Sequence, residues 1–246
     1  MDRLIYTAMT GASAAANRQA VLSNNLANVS TNGFRAELST YRAVPVRGDG
    51  SSTRVMAIEA TPGWLDIPGS PQRTGRAMDA MTTGNSWFGV QGLDGTEAYT
   101  RNGSFEVDAT GLLKTNTGLA VLSDGGAPIS VPAGAEVTLG SDGTLSAKVG
   151  NQPPTGIGRL KLATPTAEDP LKRSGDGLFR TTSGEPMPND TNARLQLGVV
   201  EGSNVNAIET MVGMIQTARQ FEAQTRLMQT AEADDRAAAQ LLSMQG

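Results

Sequence analysis

From Ser203 to Met244 the chain contains no proline, and its only glycine is Gly213. Apolar residues recur along this stretch at helical spacing: Val205, Ile208, Met211, Ile215, Ala218, Phe221, Met228, Ala231, Ala238 and Leu242. The pattern predicts a single amphipathic helix. A helix of about 40 residues is roughly 60 Å long at 1.5 Å per residue. No compact domain within 246 residues needs such a rod for its own core. A second helical repeat opens the chain. Ile5, Ala8, Ala12, Ala15, Gln19, Leu22, Leu26 and Val29 are spaced 3-4-3-4-3-4-3, a heptad seam. Asp2 stands ahead of it as N-cap or first-turn acid. The small seam residues allow close backbone approach, and Gln19 needs a hydrogen-bond partner or fixes register. The helix is expected to stop at Asn32-Gly33, which can take a positive φ, with Phe34 anchoring the exit. The C-terminal helix takes Ser203 or Asn204 as its N-cap. Its seam runs 208, 211, 215, 218 and then lands on Phe221 instead of Glu222, so pairing of the two helices is approximate.

Between the helices the composition changes character. The chain has 29 glycines, 12 prolines and only 4% aromatics, a mix suited to short strands and tight turns. Residues 34–80 read as an extended connector, with short strands at Val44-Pro45-Val46 and Val55-Met56-Ala57-Ile58 and a flexible loop from Arg47 to Ser52. Gly63, Pro68, Gly69, Pro71 and Gly75 argue against regular structure beyond it. Residues 81–202 read as β-rich. Turn pairs recur at Asp94-Gly95, Asn102-Gly103, Thr110-Gly111, Asp124-Gly125, Asp142-Gly143 and Asp176-Gly177, with candidate strands at 86–90, 104–107, 112–115, 129–131, 137–139, 159–162 and 195–199. The expected fold class is therefore α+β. Residues 1–33 and 203–246 form a terminal helical domain paired in coiled-coil fashion, around a central β domain of sandwich or barrel type.

The residues exclude much chemistry. Without cysteine there are no disulfides, thiol nucleophiles or thiolate metal sites, and without histidine there is no Ser-His-Asp arrangement and no usual zinc ligand. A net charge of −4 provides no basic field for nucleic acid. No run of 18 apolar residues exists to span a membrane. Arg3, Leu4-Ile5-Tyr6 and Ala12-Ser13-Ala14 resemble a short signal peptide, but the heptad runs straight through the cleavage point to Val29. The Asp-Gly pairs lack the later acidic ligand of a calcium loop and read as turns. The Gly-rich stretches at 48–50 and 125–126 precede no helix, so they cradle no phosphate. No spacing places two carboxylates together for hydrolysis. No metal and no cofactor is expected. The helices carry the functional signal: Met211, Val212, Met214 and Ile215 spread around more than one face, and a lone helical pair would leave that surface exposed.

Several segments resemble the bacterial flagellar rod–hook axial family. Asn24-Asn25-Leu26-Ala27-Asn28-Val29-Ser30-Thr31-Asn32-Gly33-Phe34-Arg35 is similar to its N-terminal signature. Tyr99-Thr100-Arg101-Asn102-Gly103-Ser104-Phe105 matches its β-domain motif, followed in order by 108–113, Pro128-Ile129 and 140–144. Glu201-Gly202-Ser203-Asn204-Val205-Asn206, Met211-Val212 and Arg219-Gln220-Phe221-Glu222 are similar to its C-terminal signature. One departure is Gly84-Asn85-Ser86-Trp87-Phe88, where the family often has Gly-Asp-Gly. The opening Met1-Asp2-Arg3-Leu4-Ile5-Tyr6 and the length are most similar to a proximal-rod member, with a distal-rod member as the alternative.

The resemblance implies a non-enzymatic drive-shaft subunit in the basal-body rod across the periplasm. Such a subunit is exported without a cleaved signal through the type III apparatus. The terminal helices line an inner channel and the β domain faces outward. Its partners are further copies of itself and the proximal and distal rod proteins. The residues expected at inter-subunit helix contacts are Ile5, Ala8, Ala12, Ala15, Leu22, Leu26, Val29, Val205, Ile208, Met211, Ile215, Ala218, Phe221 and Met228. The signature positions are Asn24, Asn25, Leu26, Ala27, Asn28, Asn32, Gly33, Phe34, Arg101, Asn102, Gly103 and Phe105. Two other classes compete with this reading. A secreted binding module predicts function without the terminal helices, and a polysaccharide hydrolase predicts a carboxylate pair.

Overall fold

The computed structural model describes residues 2–45, 55–59 and 63–243. The loop expected at 47–52 and the side chains of Asp2 and Leu242 lie outside what is described. The chain divides into two compact units.

The first unit comprises Met1–Val29, Ala36–Asp66 and Val205–Gly246. Its two helices are α1 (Asp2–Ala27) and α2 (Ala207–Ser243). They pack on one another along their length. A Cβ placed on Gly11 would come within 2.9 Å of the Gln224 side chain, and one on Gly213 within 3.4 Å of Leu22. The helices therefore run antiparallel, with residue n of α1 facing residue 235 − n of α2. Asn206 caps α2, its Oδ1 accepting from the N–H groups of Ile208 at 3.1 Å and Glu209 at 3.3 Å. The cap is thus two or three residues beyond the expected Ser203 or Asn204, since the helix starts only at Ala207.

Tyr41–Pro45 and Val55–Glu59 pair as antiparallel strands, and Glu37–Leu38 pairs with Gly63–Trp64. This β layer lies against α1. Tyr41 Oη donates to the Ala14 carbonyl at 2.8 Å. Asn25 is buried and clamps the Glu37 peptide, its amide donating to Glu37 O at 2.9 Å and its Oδ1 accepting from Glu37 N at 2.8 Å.

The second unit comprises Ser30–Arg35 and Ile67–Asn204. Its largest sheet is antiparallel and five-stranded, in the order Leu162–Ala163, Trp87–Gln91, Glu97–Thr100, Phe179–Thr181 and Leu171–Arg173. Ala135–Leu139, Thr144–Val149 and Thr155–Arg159 form a three-stranded meander. Phe105–Val107 pairs with Leu113–Thr115. Two ribbons join distant parts of the chain: Pro71–Arg73 with Val199–Glu201, and Ala80–Thr82 with Leu195–Leu197. Phe88, Phe105, Leu113, Leu145, Leu160, Leu162 and Leu195 fill the core between these pieces. Phe88 and Phe105 meet edge to face, with centroids 5.1 Å apart.

Two expectations are corrected. The strands do not close into a barrel: among the described residues the five-stranded sheet has no further strand beside 162–163 or 171–173, whereas closure gives every strand two neighbours. The stretch around Gly63 to Gly75 contributes the short strands Gly63–Trp64 and Pro71–Arg73. The single strand expected at 195–199 is two strands, broken at Gly198, whose φ of 69° turns the chain so that each half finds a different partner.

Candidate assembly surface

Both helices are two-sided. On α1 the seam found in the sequence is the inward face: Ala8, Ala12 and Ala15 are buried, and Ile5, Gln19, Leu22 and Leu26 are half-buried, while Val29 is exposed. On α2 the inward face departs from the stripe the sequence suggested as far as Ala218, and rejoins it at Met228 and Ala231. Thr210, Thr217 and Ala231 are buried, and Ala207, Met214, Gln224, Met228 and Ala238 are half-buried. Their 3-4 spacing is a heptad shifted by one residue from Ile208, Met211 and Ile215. The physical reason is complementary size. In the antiparallel register the small Thr210, Thr217 and Ala231 come opposite the larger α1 residues around Asn25, Gln19 and Ile5, and the α1 alanines come opposite the longer Gln224 and Met228, so small side chains alternate with large across the seam.

The largest apolar side chains of α2 consequently face out. Ile208 is 76% exposed, Ile215 56% and Met211 50%, and Val212, Phe221 and Leu227 are also exposed. Ala218 is exposed, and Val205 and Met228 are partly covered. On α1, Tyr6 and Met9 are exposed, 52% and 53%, on the side away from the alanine seam. The residues expected at inter-subunit contacts thus fall into two sets: those of α1 mostly hold the helix pair, and those of α2 mostly line its outer face.

The β unit contains a second feature, built where the signature segments converge. Glu201 is 1% exposed. Its carboxylate accepts from Arg101 Nε at 2.9 Å and from the Gly69 N–H at 3.0 Å, and it pairs with Arg35 Nη1 at 2.8 Å. Arg101 also donates to the carbonyls of Gly84 and Ser86, and Arg35 to that of Ile67. Both guanidiniums lie over the indole of Trp87, at 5.9 Å (Arg35) and 5.5 Å (Arg101) from its centroid.

Gly33 backs directly onto this node. Its N–H donates to Glu201 O at 2.7 Å, its φ is 70°, and a Cβ there would lie 2.4 Å from the Arg101 carbonyl carbon. Gly103 is equally constrained, since a Cβ would lie 1.7 Å from the Ala80 oxygen. Asn102 donates to Asn116 Oδ1 at 2.7 Å and accepts from the Ser104 N–H. Phe34 carries the Arg173 guanidinium 4.7 Å above its ring. Asn24 and Asn28 bond to one another in the last turn of α1. Sequence reading did not foresee Glu201, Arg35 and Trp87 as one cluster. Charged residues amid apolar strands are the only local signal, and nothing local identifies their partners.

Several of the aspartates are committed to turns. Asp94 and Asp142 each accept from the hydroxyl and N–H of the threonine two residues on, and the threonine bonds hold their carboxyls below the usual range. Asp108 is held lower still, by Lys114 at 2.6 Å and then by Thr110. A glycosidase acid needs its pKa raised, the opposite of what these turns do. Among the described residues no cluster of acidic side chains has metal-binding geometry. No helix among them is long and apolar enough to cross a membrane.

Comparison with known proteins draws these features together. The flagellar basal body rod protein family model matches residues 5–35. The flagellar hook protein FlgE/F/G D1 domain model matches 81–147, and the flagellar basal body rod FlgEFG protein C-terminal model matches 196–241. The chain is 44% identical to flagellar basal-body rod protein FlgF of Salmonella typhimurium and 45% identical to that of Escherichia coli, in each case over 99% of this chain and all of the relative. It is 31% identical to flagellar basal-body rod protein FlgG of Buchnera aphidicola subsp. Schizaphis graminum, over 93% of this chain and 95% of the relative. With full-length identity at this level, the chain is a structural rod subunit and belongs to the flagellar basal-body rod protein family.

Proposed function

We propose that this chain is a proximal-rod subunit that polymerises through the outer faces of α1 and α2. The observation that carries the proposal is the inverted helix pair. Thr210, Thr217 and Ala231 are the α2 residues buried in the helix pair, while Ile208, Met211, Val212 and Ile215 are exposed. An exposed apolar face of this kind is an interaction surface. The helical segments 1–33 and 203–246 act as the inner polymerisation domain, 34–80 as the connector and 81–202 as the outer β domain. Helix pairing is of coiled-coil type, completed by neighbouring copies and by other rod proteins. Heterologous contacts build a helical filament around a channel and transmit torque through the periplasm. Export through the type III apparatus without a cleaved signal follows from the same assignment. The sequence supports it by carrying the α1 heptad through the only cleavage-like site.

The test is Met211→Asp in flagellated cells. The variant is expected to fold its β unit, to survive proteolysis as the wild type does between residues 67 and 204, and to be absent from isolated basal bodies. Normal incorporation of this variant would overturn the assembly role.

A further inference from the structure

We propose that the outer face of α1 in a second copy docks antiparallel on the outer stripe of α2, with residue n of α1 facing residue 224 − n of α2. This rests on the assembly role above and adds its occupant and register. The two faces share a step pattern. Tyr6, Met9, Ser13 and Ala16 are all exposed on α1 at spacings of 3, 4 and 3. Ala218, Ile215, Met211 and Ile208 are all exposed on α2 at the same spacings in the reverse direction. An antiparallel heptad contact needs that reversal. In this register Tyr6 meets Ala218, Met9 meets Ile215, Ser13 meets Met211 and Ala16 meets Ile208. Three of the four pairs set a large side chain against a small one, the arrangement that interdigitates without a void.

Charge points the same way. Leu4 to Asn17 contains no charged residue, and neither does Thr210 to Ala218. These windows face each other in the proposed register. Interface cores are depleted of charge and enriched in aromatic residues and methionine. Shifting by one heptad in one direction sets Met9 against Glu222. The opposite shift sets Tyr6 against Met211 and moves Ile215 beyond Leu4. Within one copy the pairing follows 235 − n. The second copy's α1 therefore sits about 11 residues, or ~16 Å at 1.5 Å per residue, nearer the N-terminus of α2. Because the two faces belong to different helices, the contact is heterologous and repeats without closing.

The chain has no cysteine, so introduced pairs report cleanly. Ala16→Cys with Ile208→Cys replaces the chain in flagellated cells, and isolated basal bodies are oxidised. The expected result is a ladder of self-linked copies whose linked peptide joins positions 16 and 208. Ala16→Cys with Ile215→Cys, one heptad out, is expected to give none. Incorporation with linkage only to another protein, only through 16 and 215, or with no linkage at all overturns the occupant or the register and leaves the assembly role standing. Normal incorporation of Met211→Asp overturns that role instead. If the cysteine pair is not incorporated, charge rescue decides. Ala16→Glu and Ile208→Lys are each expected to lower incorporation at least about tenfold, and together to restore it. Single variants that incorporate normally, or a double variant that does not recover, refute the register.

Discussion

Glu201→Gln is the sharpest test of how the β unit is held together. The carboxylate is 1% exposed and is the counter-ion of two guanidiniums, Arg35 at 2.8 Å and Arg101 at 2.9 Å, whose side chains are equally buried. The amide keeps the shape and one acceptor but removes the charge. Breaking a buried ion pair costs about 3–5 kcal/mol, because the remaining charge stays out of water without its partner. The Trp87 ring offsets part of that loss, on the order of 1 kcal/mol, for cations at these distances. The net expectation is a loss of about 3 kcal/mol. With a urea dependence of about 2 kcal/mol per molar for a unit of this size, the midpoint falls by ~1.5 M.

Trp87 is fully buried and reports the transition by fluorescence, in a background where Trp64 is replaced by Phe. Arg35→Met in the Glu201→Gln protein is expected to cost less than in the wild type, since the two residues share one network. A Glu201→Gln midpoint within ~0.3 M of wild type, or strict additivity with Arg35→Met, would refute the view that charge pairing organises the node.

Further outcomes follow from other parts of the molecule. Gly33→Ala demands a positive φ from a residue with a Cβ and sets that Cβ 2.4 Å from Arg101, so a loss of about 2 kcal/mol or more is expected in the same urea melt. Ala12→Leu overfills the buried α1 seam and is expected to destabilise the helix pair by about 1–3 kcal/mol, read as faster proteolysis of both chain ends. The carboxyls of Asp94, Asp108, Asp142 and Asp190 are held below their usual values by Thr96, Lys114, Thr144 and Thr164 respectively. Their contribution is complete above the unfolded carboxylate pKa of about 4 and is lost as pH falls through the lower folded values, so the melting temperature is expected to drop from pH 5 toward pH 2. Asp108→Asn should flatten that slope. Burial, and then the hydrogen bond to Glu97, pushes the Tyr99 hydroxyl well up. Its contribution is complete below the unfolded tyrosine pKa of about 10 and declines above it, so alkaline destabilisation is expected to be weaker in Tyr99→Phe.

Periodicity and turn chemistry are local properties, and they were readable. The α1 heptad, the length of α2 and the Asp-Gly turns depend on residues within a few positions of one another. Local sterics and side-chain-to-backbone bonds decide them before any tertiary contact forms. The resemblance of three short segments also carried the family. Which stripe of α2 faces α1 was not readable, because the two candidate stripes differ by a single residue step and both have helical spacing. The larger apolar side chains seemed the natural core, yet Thr210, Thr217 and Ala231 are the buried ones and Ile208, Met211 and Ile215 are exposed.

The Pro71–Arg73 ribbon with Val199–Glu201 joins segments near the two sequence ends of the β unit, and short strands carry no mark of a distant partner. The ion node is of the same kind: Arg35, Arg101 and Glu201 are separately unremarkable charges until the fold removes water from all three. What the sequence determined by itself was the pair of helices and the tight turns, since those are fixed by near neighbours. Only the tertiary structure decided which faces are covered and which charges are paired, since burial belongs to surfaces that meet across the chain.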